Sequence, residues 1–347
     1  MLKNNNGLIT SSFGGGAFGG GAPMMVTDSA VAQGMTFLES ELEKRDPRLY
    51  EPLTSVTWAR DIVANTGGGW SDFSSMIDVE YASSGSNQYG IVGSKTTDVP
   101  VMQANLNKTT FKVFTWSNKM LISYVDMMKT QAIGRALDDI YDNGIRLNYN
   151  KTLDQAVYLG FDEYGTEGLI NNSNVTSSLA LANGTSSSRL FSAKSADQIL
   201  QEINALITRC WARAEYDTSA IPNTIGLPPE IFSDLNTRLV STAGNISILE
   251  YLLRNNIART QGVDLQIVPM RQLIGVGTPL TSGGAATNRV IAYVNKEEYL
   301  SIDLPVPLYR ALTQNSVSDS GYLSQYFAQV GEVKFKYFQP VEYLDGV

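Results

Sequence analysis

An α+β fold of two or three lobes is predicted by three observations. The chain has 347 residues with 43% hydrophobic content, too many for one minimal core. Residues 72–122 read as two long strands joined by a polar, glycine-punctuated tip. Residues 124–160 carry a helical apolar period over an unusual length.

Residues 1–27 are low in complexity. Phe13-Gly14-Gly15-Gly16-Ala17-Phe18-Gly19-Gly20-Gly21-Ala22-Pro23 cannot form a core alone, because glycine loses the most backbone entropy and offers no side chain. Such an arm becomes ordered only against another surface, with Phe13 and Phe18 as anchors. Residues 28–46 read as an amphipathic helix, with Asp28 as N-cap and Val31, Met35, Leu38 and Leu42 on one face. Asp46-Pro47 stops it. Residues 53–64 are strand-like, and Gly67-Gly68-Gly69 breaks the chain.

Asp78-Val79-Glu80-Tyr81 leads out into the excursion, and Val99-Pro100-Val101 leads back. Phe111 to Trp116 nearly alternate, as in a half-buried strand. A loop this long with a polar tip needs a partner to lie on. In the helical stretch, Val125, Met128, Ile133, Leu137, Ile140, Ile145, Leu147, Leu153, Val157 and Leu159 recur near a 3.6 period. Gly134 and Gly144 permit a bend. A continuous helix here is a spine about 55 Å long at about 1.5 Å per residue. Gly160 ends it, and residues 161–171 form a turn-rich exit.

Residues 172–194 are rich in Asn, Ser and Thr and are expected to be exposed. Ser195 caps a helix that places Ile199, Ile203, Leu206, Ile207 and Cys210 on one face. A short strand enters a turn at residues 223–229, a helix starts near Glu230, and another runs from Ser247 to Asn256. Residues 265–269 and 289–294 read as strands. Val333, Phe335 and Tyr337 alternate with Lys334, Lys336 and Phe338, a strand with one charged side. The sequence contains no internal repeat.

Composition excludes several classes of function. Only 17% of residues are charged, against about a quarter in ordinary soluble chains. Polar uncharged residues explain part of the shortfall, and surface covered by partners would explain the rest. The net charge of −8 gives no general attraction to phosphate backbones. This argues against a dedicated DNA-binding protein but not against a wall around DNA. The absence of histidine removes the commonest general base, the commonest metal ligand and any Ser-His-Asp arrangement. The single cysteine, Cys210, reads as a buried structural residue. No apolar run is long enough to span a bilayer, and the N-terminal stretch lacks a signal-peptide core. The expectation is a cytosolic protein, or one released by lysis.

No motif carries chemistry. Gly275-Val276-Gly277 lacks the remainder of a nucleotide-binding fingerprint and reads as a loop. Asp138, Asp139 and Asp142 cluster on the spine. Paired carboxylates could serve acid–base work or bind a cation, but a solvated or partner-facing helix edge is the expected role. Trp58, Trp70, Trp116 and Trp211 are scattered and read as core or contact aromatics.

Several stretches, in this order, resemble the major capsid proteins of tailed phages and the related encapsulin shell proteins. Asp46-Pro47-Arg48-Leu49-Tyr50-Glu51-Pro52 resembles the entry to the family's first β segment. Thr97-Asp98-Val99-Pro100-Val101 resembles the return limb of its extended loop. Trp116-Ser117 with Leu121-Ile122-Ser123-Tyr124 resembles its approach to the spine helix. Tyr158-Leu159-Gly160 with Gly165 to Asn171 resembles the glycine-rich turn that closes the spine. Gln339 to Gly346 resembles its C-terminal strand. The resemblance covers residues 28–347, and the nearest branch is the encapsulin-like coat proteins of phages.

The resemblance implies the Hong Kong ninety-seven phage capsid fold. It would be built as an N-terminal arm with leading helix (1–71), an extended loop (72–122), a peripheral domain with a long spine helix (123–195 and 300–338) and an axial α/β domain (196–299 and 339–347). It implies a non-enzymatic shell subunit that assembles as pentamers and hexamers around double-stranded DNA, in an icosahedral or prolate head built in the bacterial cytoplasm. It implies no catalytic residues, cofactor, metal or membrane partner. Any scaffold would be a separate protein, or removed, and separate portal and decoration proteins are possible partners. Phe13 and Phe18 of the arm, and Lys95 and Asp98 of the extended loop, are the expected inter-subunit contacts. Some family members crosslink a Lys of that loop to a neighbour's Asn with help from a Glu. Lys95 lies in the matching loop, without a recognisable Asn and Glu pattern. An encapsulin enclosing enzyme cargo, a carboxylate-based hydrolase, and an α+β protein of another role are the remaining readings.

Overall fold

A computed structural model describes residues 54–84, 90, 91, 93, 99–133, 137–241, 245–280, 284–318 and 320–347. The expected leading helix at 28–46 lies outside them. The strand-like stretch at 53–64 divides into a short helix α1 (Trp58–Asp61) and a strand β1 (Val63–Thr66). The helix turn forms because Asp154, far along the chain, accepts the backbone N–H groups of Thr57 and Trp58 at 3.0 Å each. A cap supplied from so far away leaves no local sequence signal.

The excursion is two long antiparallel strands, β2 (Phe73–Ser84) and β3 (Val101–Ser123). Its root is wider than a two-stranded ribbon. The inner half of β3, from Val113, pairs with β10 (Gly321–Gly331), which in turn pairs with β9 (Tyr309–Ser316). The polar hairpin β9–β10 carries little apolar alternation, so its strands leave no clear trace in the sequence.

The spine stretch forms helices α2 (Tyr124–Ile133) and α3 (Leu137–Tyr158). Its apolar period does not mark one buried face throughout. Ile145, Leu153 and Val157 are buried, together with Tyr149 and Tyr158, whereas Val125, Met128 and Ile140 are exposed. The helical run ends at Tyr158, and the turn after it is built on close approach. A Cβ on Gly168 would stand 2.5 Å from the Leu159 nitrogen, and Gly160 has φ +73°. Leu169 N–H donates to Val157 O at 2.8 Å and Asn171 Nδ2 to Leu159 O at 2.8 Å, so the exit folds back along the helix end.

A five-stranded sheet follows the order β4 (Thr176–Leu179), β12 (Glu342–Asp345), β7 (Arg289–Tyr293), β5 (Thr224–Leu227), β6 (Gln266–Pro269). Side-chain alternation along β7 gives the sheet two cores. Ile291 and Tyr293 join the cluster that holds the end of α3. Val290 and Ala292 join the cluster under helix α4 (Ala196–Arg213). That helix begins with the expected cap, here a capping box in which Ser195 and Gln198 bond reciprocally. Its face residues Ile199, Ile203, Leu206, Ile207 and Cys210 are fully buried. Helices α5 (Pro229–Thr237), α6 (Ile248–Arg254) and α7 (Ile257–Thr260) complete this side.

Two expectations need correction. The stretch 172–194 is not simply exposed: it contributes β4, and Val175, Ala180, Phe191 and Lys194 are buried. Lys194 tolerates burial because its ammonium pairs with the buried Glu202 carboxylate. The strand at 333–338 is only Val333–Phe335, β11. It pairs with β8 (Leu300–Leu304), beside β1, and its Lys334 is buried in an ion pair with Asp303 instead of lining a charged outer side.

Two of the three spine acids, Asp138 and Asp142, are engaged in structure. Asp138 takes Arg310 by two bonds of 2.9 and 3.1 Å, and Asp142 takes Arg146 at 2.7 Å and the Tyr326 hydroxyl at 2.7 Å. Trp58, Trp116 and Trp211 pack partly buried against core clusters, while Trp70 is exposed with an edge contact to Phe327.

Candidate assembly surface

The ribbon β2–β3 leaves the body through a dense polar joint. The ammonium of buried Lys334 holds Asp303 and the Ser74 hydroxyl, and it lies 5.5 Å from the centre of the Phe111 ring. The buried Gln329 amide clasps the backbone of Ser71 from both ends, accepting at 3.2 Å and donating at 3.0 Å. Lys112 Nζ donates to Tyr164 O at 2.6 Å, and the Phe114 ring meets Phe161 and Tyr164 at 5.6 and 5.1 Å. The direction in which the ribbon departs is therefore set by side chains from β8, β10, β11 and the exit turn.

The two strands run for twelve residue pairs, Phe73 opposite Lys112 to Ser84 opposite Val101, the first two pairs within this joint, with no break in register. At about 3.3 Å per residue the ribbon reaches about 40 Å. The register sorts its side chains onto two unlike faces. One carries Phe73, Ile77, Val79 and Tyr81 of β2 beside Leu106 and Met102 of β3. The other carries Asp78 and Glu80 of β2 beside Gln103, Asn105, Asn107 and Thr109 of β3. All six apolar residues are exposed, Tyr81 and Leu106 to 73% each. A patch of this kind on a soluble chain marks a surface made to be covered.

Near the root the polar face overlies the chain's own body, which the other face also meets through Lys112 and Thr110. Met76, Asp78, Thr109 and Phe111 line a cavity of about 620 Å³ with Asp162, Glu167, Asn174, Glu332 and Phe338. Burial raises the Glu332 carboxyl above its ordinary value, against the opposing effect of the Lys112 backbone N–H and charge. Asp78, Asp162 and Glu167 also line it, so the wall of this gap is acidic, with Met76, Phe111, Val333, Phe335 and Phe338 as its apolar part.

The four residues expected from the sequence to make inter-subunit contacts, Phe13, Phe18, Lys95 and Asp98, lie outside the described residues. The apolar face of the ribbon is not among the sequence-based expectations. Its signal is present in the alternation Ile77-Asp78-Val79-Glu80-Tyr81, but an apolar face and a buried face look the same in a strand pattern. Cys210 is buried as expected, and burial pushes its thiol up to about 12.

A family model described as major capsid protein matches residues 87–347. The chain belongs to the major capsid protein family. Solved structures agree on the fold. The capsid of Myoviridae phage XM1 is similar with a TM-score of 0.70 and 18% identity, over 89% of this chain and 98% of that one. The capsid of an empty GTA particle matches with a TM-score of 0.55 and 12% identity, over 92% and 99%. The mature capsid of bacteriophage PhiM1 matches with 0.53 and 11%, over 88% and 91%. No curated protein matches the sequence. The fold is the Hong Kong ninety-seven type that the sequence resembles, and the role of this coat subunit is structural. No helix among the described residues is long and apolar enough to cross a membrane.

Proposed function

We propose that this coat subunit assembles with many copies of itself, as pentamers and hexamers, into a closed icosahedral or prolate shell around double-stranded DNA, and that it catalyses no reaction. The observation that carries this reading is the ribbon, a projection about 40 Å long whose exposed side chains are apolar on one face. A two-stranded ribbon is marginal alone in water. The acids of the spine support a non-catalytic role, because Asp138 and Asp142 are held by Arg310, Arg146 and Tyr326. The acidic net charge of −8 suits a wall that holds DNA without gripping it.

The chain divides by function as an arm with leading helix (1–71), an extended loop (72–122), a peripheral part (123–195 and 300–338) and an axial part (196–299 and 339–347). Phe13, Phe18, Lys95 and Asp98 are inter-subunit contacts in this scheme. Scaffold, portal and decoration proteins are possible further partners, and assembly takes place in the bacterial cytoplasm before release in the virion. The test is expression of this chain with and without its neighbouring phage genes, followed by sedimentation and electron microscopy. Closed particles burying well over about 2,000 Å² per subunit, filled with DNA in the infected cell, are expected. A stable monomer at micromolar concentration, or particles that enclose an enzyme and no DNA, would overturn it.

A further inference from the structure

We propose that the cleft beyond the C-terminal end of α4 is a docking site for a basic segment of a separate protein, which places an arginine side chain on its paired tyrosine rings. The inference is independent of the self-assembly proposed above and adds a partner of stated chemistry.

The cleft is a cavity of about 510 Å³ with walls from three parts of the chain. Arg213, Glu215 and Asp217 come from the end of α4 and the turn after it. Glu298 and Tyr299 come from the approach to β8, and Tyr337 follows β11. Its size is that of a site for a side chain or a small molecule.

The walls carry uncompensated negative charge. Arg213 is already neutralised, because it pairs with Glu342 at 2.8 Å and donates to Val341 O at 3.0 Å. Asp217 accepts from the backbone and hydroxyl of Ser219 at 2.9 Å each, and neither donor is charged. The side chains of Glu215 and Glu298 make no hydrogen bond or ion pair with any described residue. Three carboxylates therefore face the cavity without a counter-charge.

The tyrosines select the form of the cation. The Tyr299 and Tyr337 rings lie with centres 5.5 Å apart and planes at 53°. The Tyr299 hydroxyl is fixed by Ser219 at 2.7 Å, whereas Tyr337 is 54% exposed. A flat guanidinium stacks on such a ring while carboxylates beside it take its N–H groups. The acids are not grouped to ligate a metal ion among the described residues. Charge also selects a foreign chain. Copies at net −8 repel one another at long range, and a basic chain is drawn in.

The probe is acetyl-tetraarginine amide, with acetyl-tetracitrulline amide, of similar shape and no charge, as its control. Binding to the purified full chain below its assembly concentration is followed by calorimetry. One tetraarginine should bind per subunit, saturably, and tetracitrulline should not bind. Glu215→Gln/Glu298→Gln should weaken binding about tenfold, and Tyr337→Ala about three- to fivefold. Glu163→Gln/Glu230→Gln removes two charges elsewhere and should stay within about twofold of the wild type. Circular dichroism checks the fold of each variant. Hydroxyl-radical footprinting of the wild type needs no variant and should show Tyr337 protected by the peptide.

No saturable binding, equal binding of tetracitrulline, or a Tyr337 that stays equally reactive would overturn the inference. So would equal weakening by the two pairs of Glu→Gln changes, which marks attraction to the whole surface, or an unchanged affinity in Tyr337→Ala. Spermidine binding as tight as tetraarginine would make this a polyamine site. Weaker self-association of Glu215→Gln/Glu298→Gln in sedimentation would assign the cleft to a second copy. Either result overturns the docking of a basic partner. A chain that forms no shell leaves every one of these readouts in place, so the two proposals fall separately.

Discussion

The ion pair between Arg289 on β7 and Asp345 on β12 should be among the most sensitive points in the molecule. Arg289 donates through Nε to Asp345 Oδ1 at 2.6 Å and through Nη2 to Oδ2 at 2.9 Å. Its Nη1 reaches Ile170 O in the exit turn at 2.6 Å, and its guanidinium lies 4.3 Å from the centre of the Tyr343 ring. Asp345 also accepts from the backbone and hydroxyl of Thr278 at 3.0 and 2.8 Å. One pair thus joins the C-terminal strand, the neighbouring strand and the end of the spine. Asp345→Asn leaves the guanidinium buried without its counter-charge, which should cost about 3–5 kcal/mol. Arg289→Met/Asp345→Leu removes both charges and strands only the Ile170 carbonyl and the Thr278 donors, at about 1 kcal/mol each. It should therefore be the more stable of the two variants. Urea unfolding of subunits kept below their assembly concentration gives both values from midpoints at constant slope. Burial works against the Asp345 carboxylate, but Arg289 and Thr278 more than offset it and hold the group below its ordinary 3.8. The pair's contribution is whole above about pH 4 and is lost as pH falls through the lower folded value. The gap between wild type and Asp345→Asn should narrow there. A cost under about 1 kcal/mol for Asp345→Asn, or a double variant less stable than Asp345→Asn, would refute the reasoning.

Three further outcomes are expected. Gly168→Ala should destabilise the subunit by about 1–3 kcal/mol, read by thermal melting, because its methyl would stand 2.5 Å from the Leu159 nitrogen and must push the exit turn off the spine. Cys210, buried with its thiol pushed up to about 12, should resist iodoacetamide at pH 8 in native subunits and react at the unfolding rate; rapid native alkylation would contradict its placement. Asp303→Asn should weaken the hold of Lys334 on Ser74 and speed amide hydrogen exchange at residues 73–76 while leaving the five-stranded sheet unchanged; equal exchange would remove this joint from the control of the ribbon.

The parts legible in the sequence are those whose partners are local or whose pattern is periodic. The helix from Ala196 is readable because a cap and one apolar face sit within eighteen residues. The long strands of the ribbon are readable from alternation and a polar tip. What escapes is decided at a distance. Helix α1 depends on a cap from Asp154, and the burial of Lys334 depends on Asp303 across a sheet. The apolar row of the ribbon escapes for another reason. Alternation reports that one side of a strand is apolar, and a side covered by a different molecule leaves the same trace as a side covered by the chain itself.

The central place of β12 has a consequence for the timing of folding. It lies between β4 and β7, yet Glu342 is 163 positions after Leu179, the last residue of β4. At a synthesis rate of about 5–20 residues per second, β4 waits roughly ten to thirty seconds for the strand beside it. Until residues 342–345 emerge, β4 and β7 each present an open edge, and the base on which the spine's exit turn is anchored is incomplete. In the assembly proposed above, a ribosome-bound chain would lack this central strand, and association before residues 342–345 emerge would have to proceed without it.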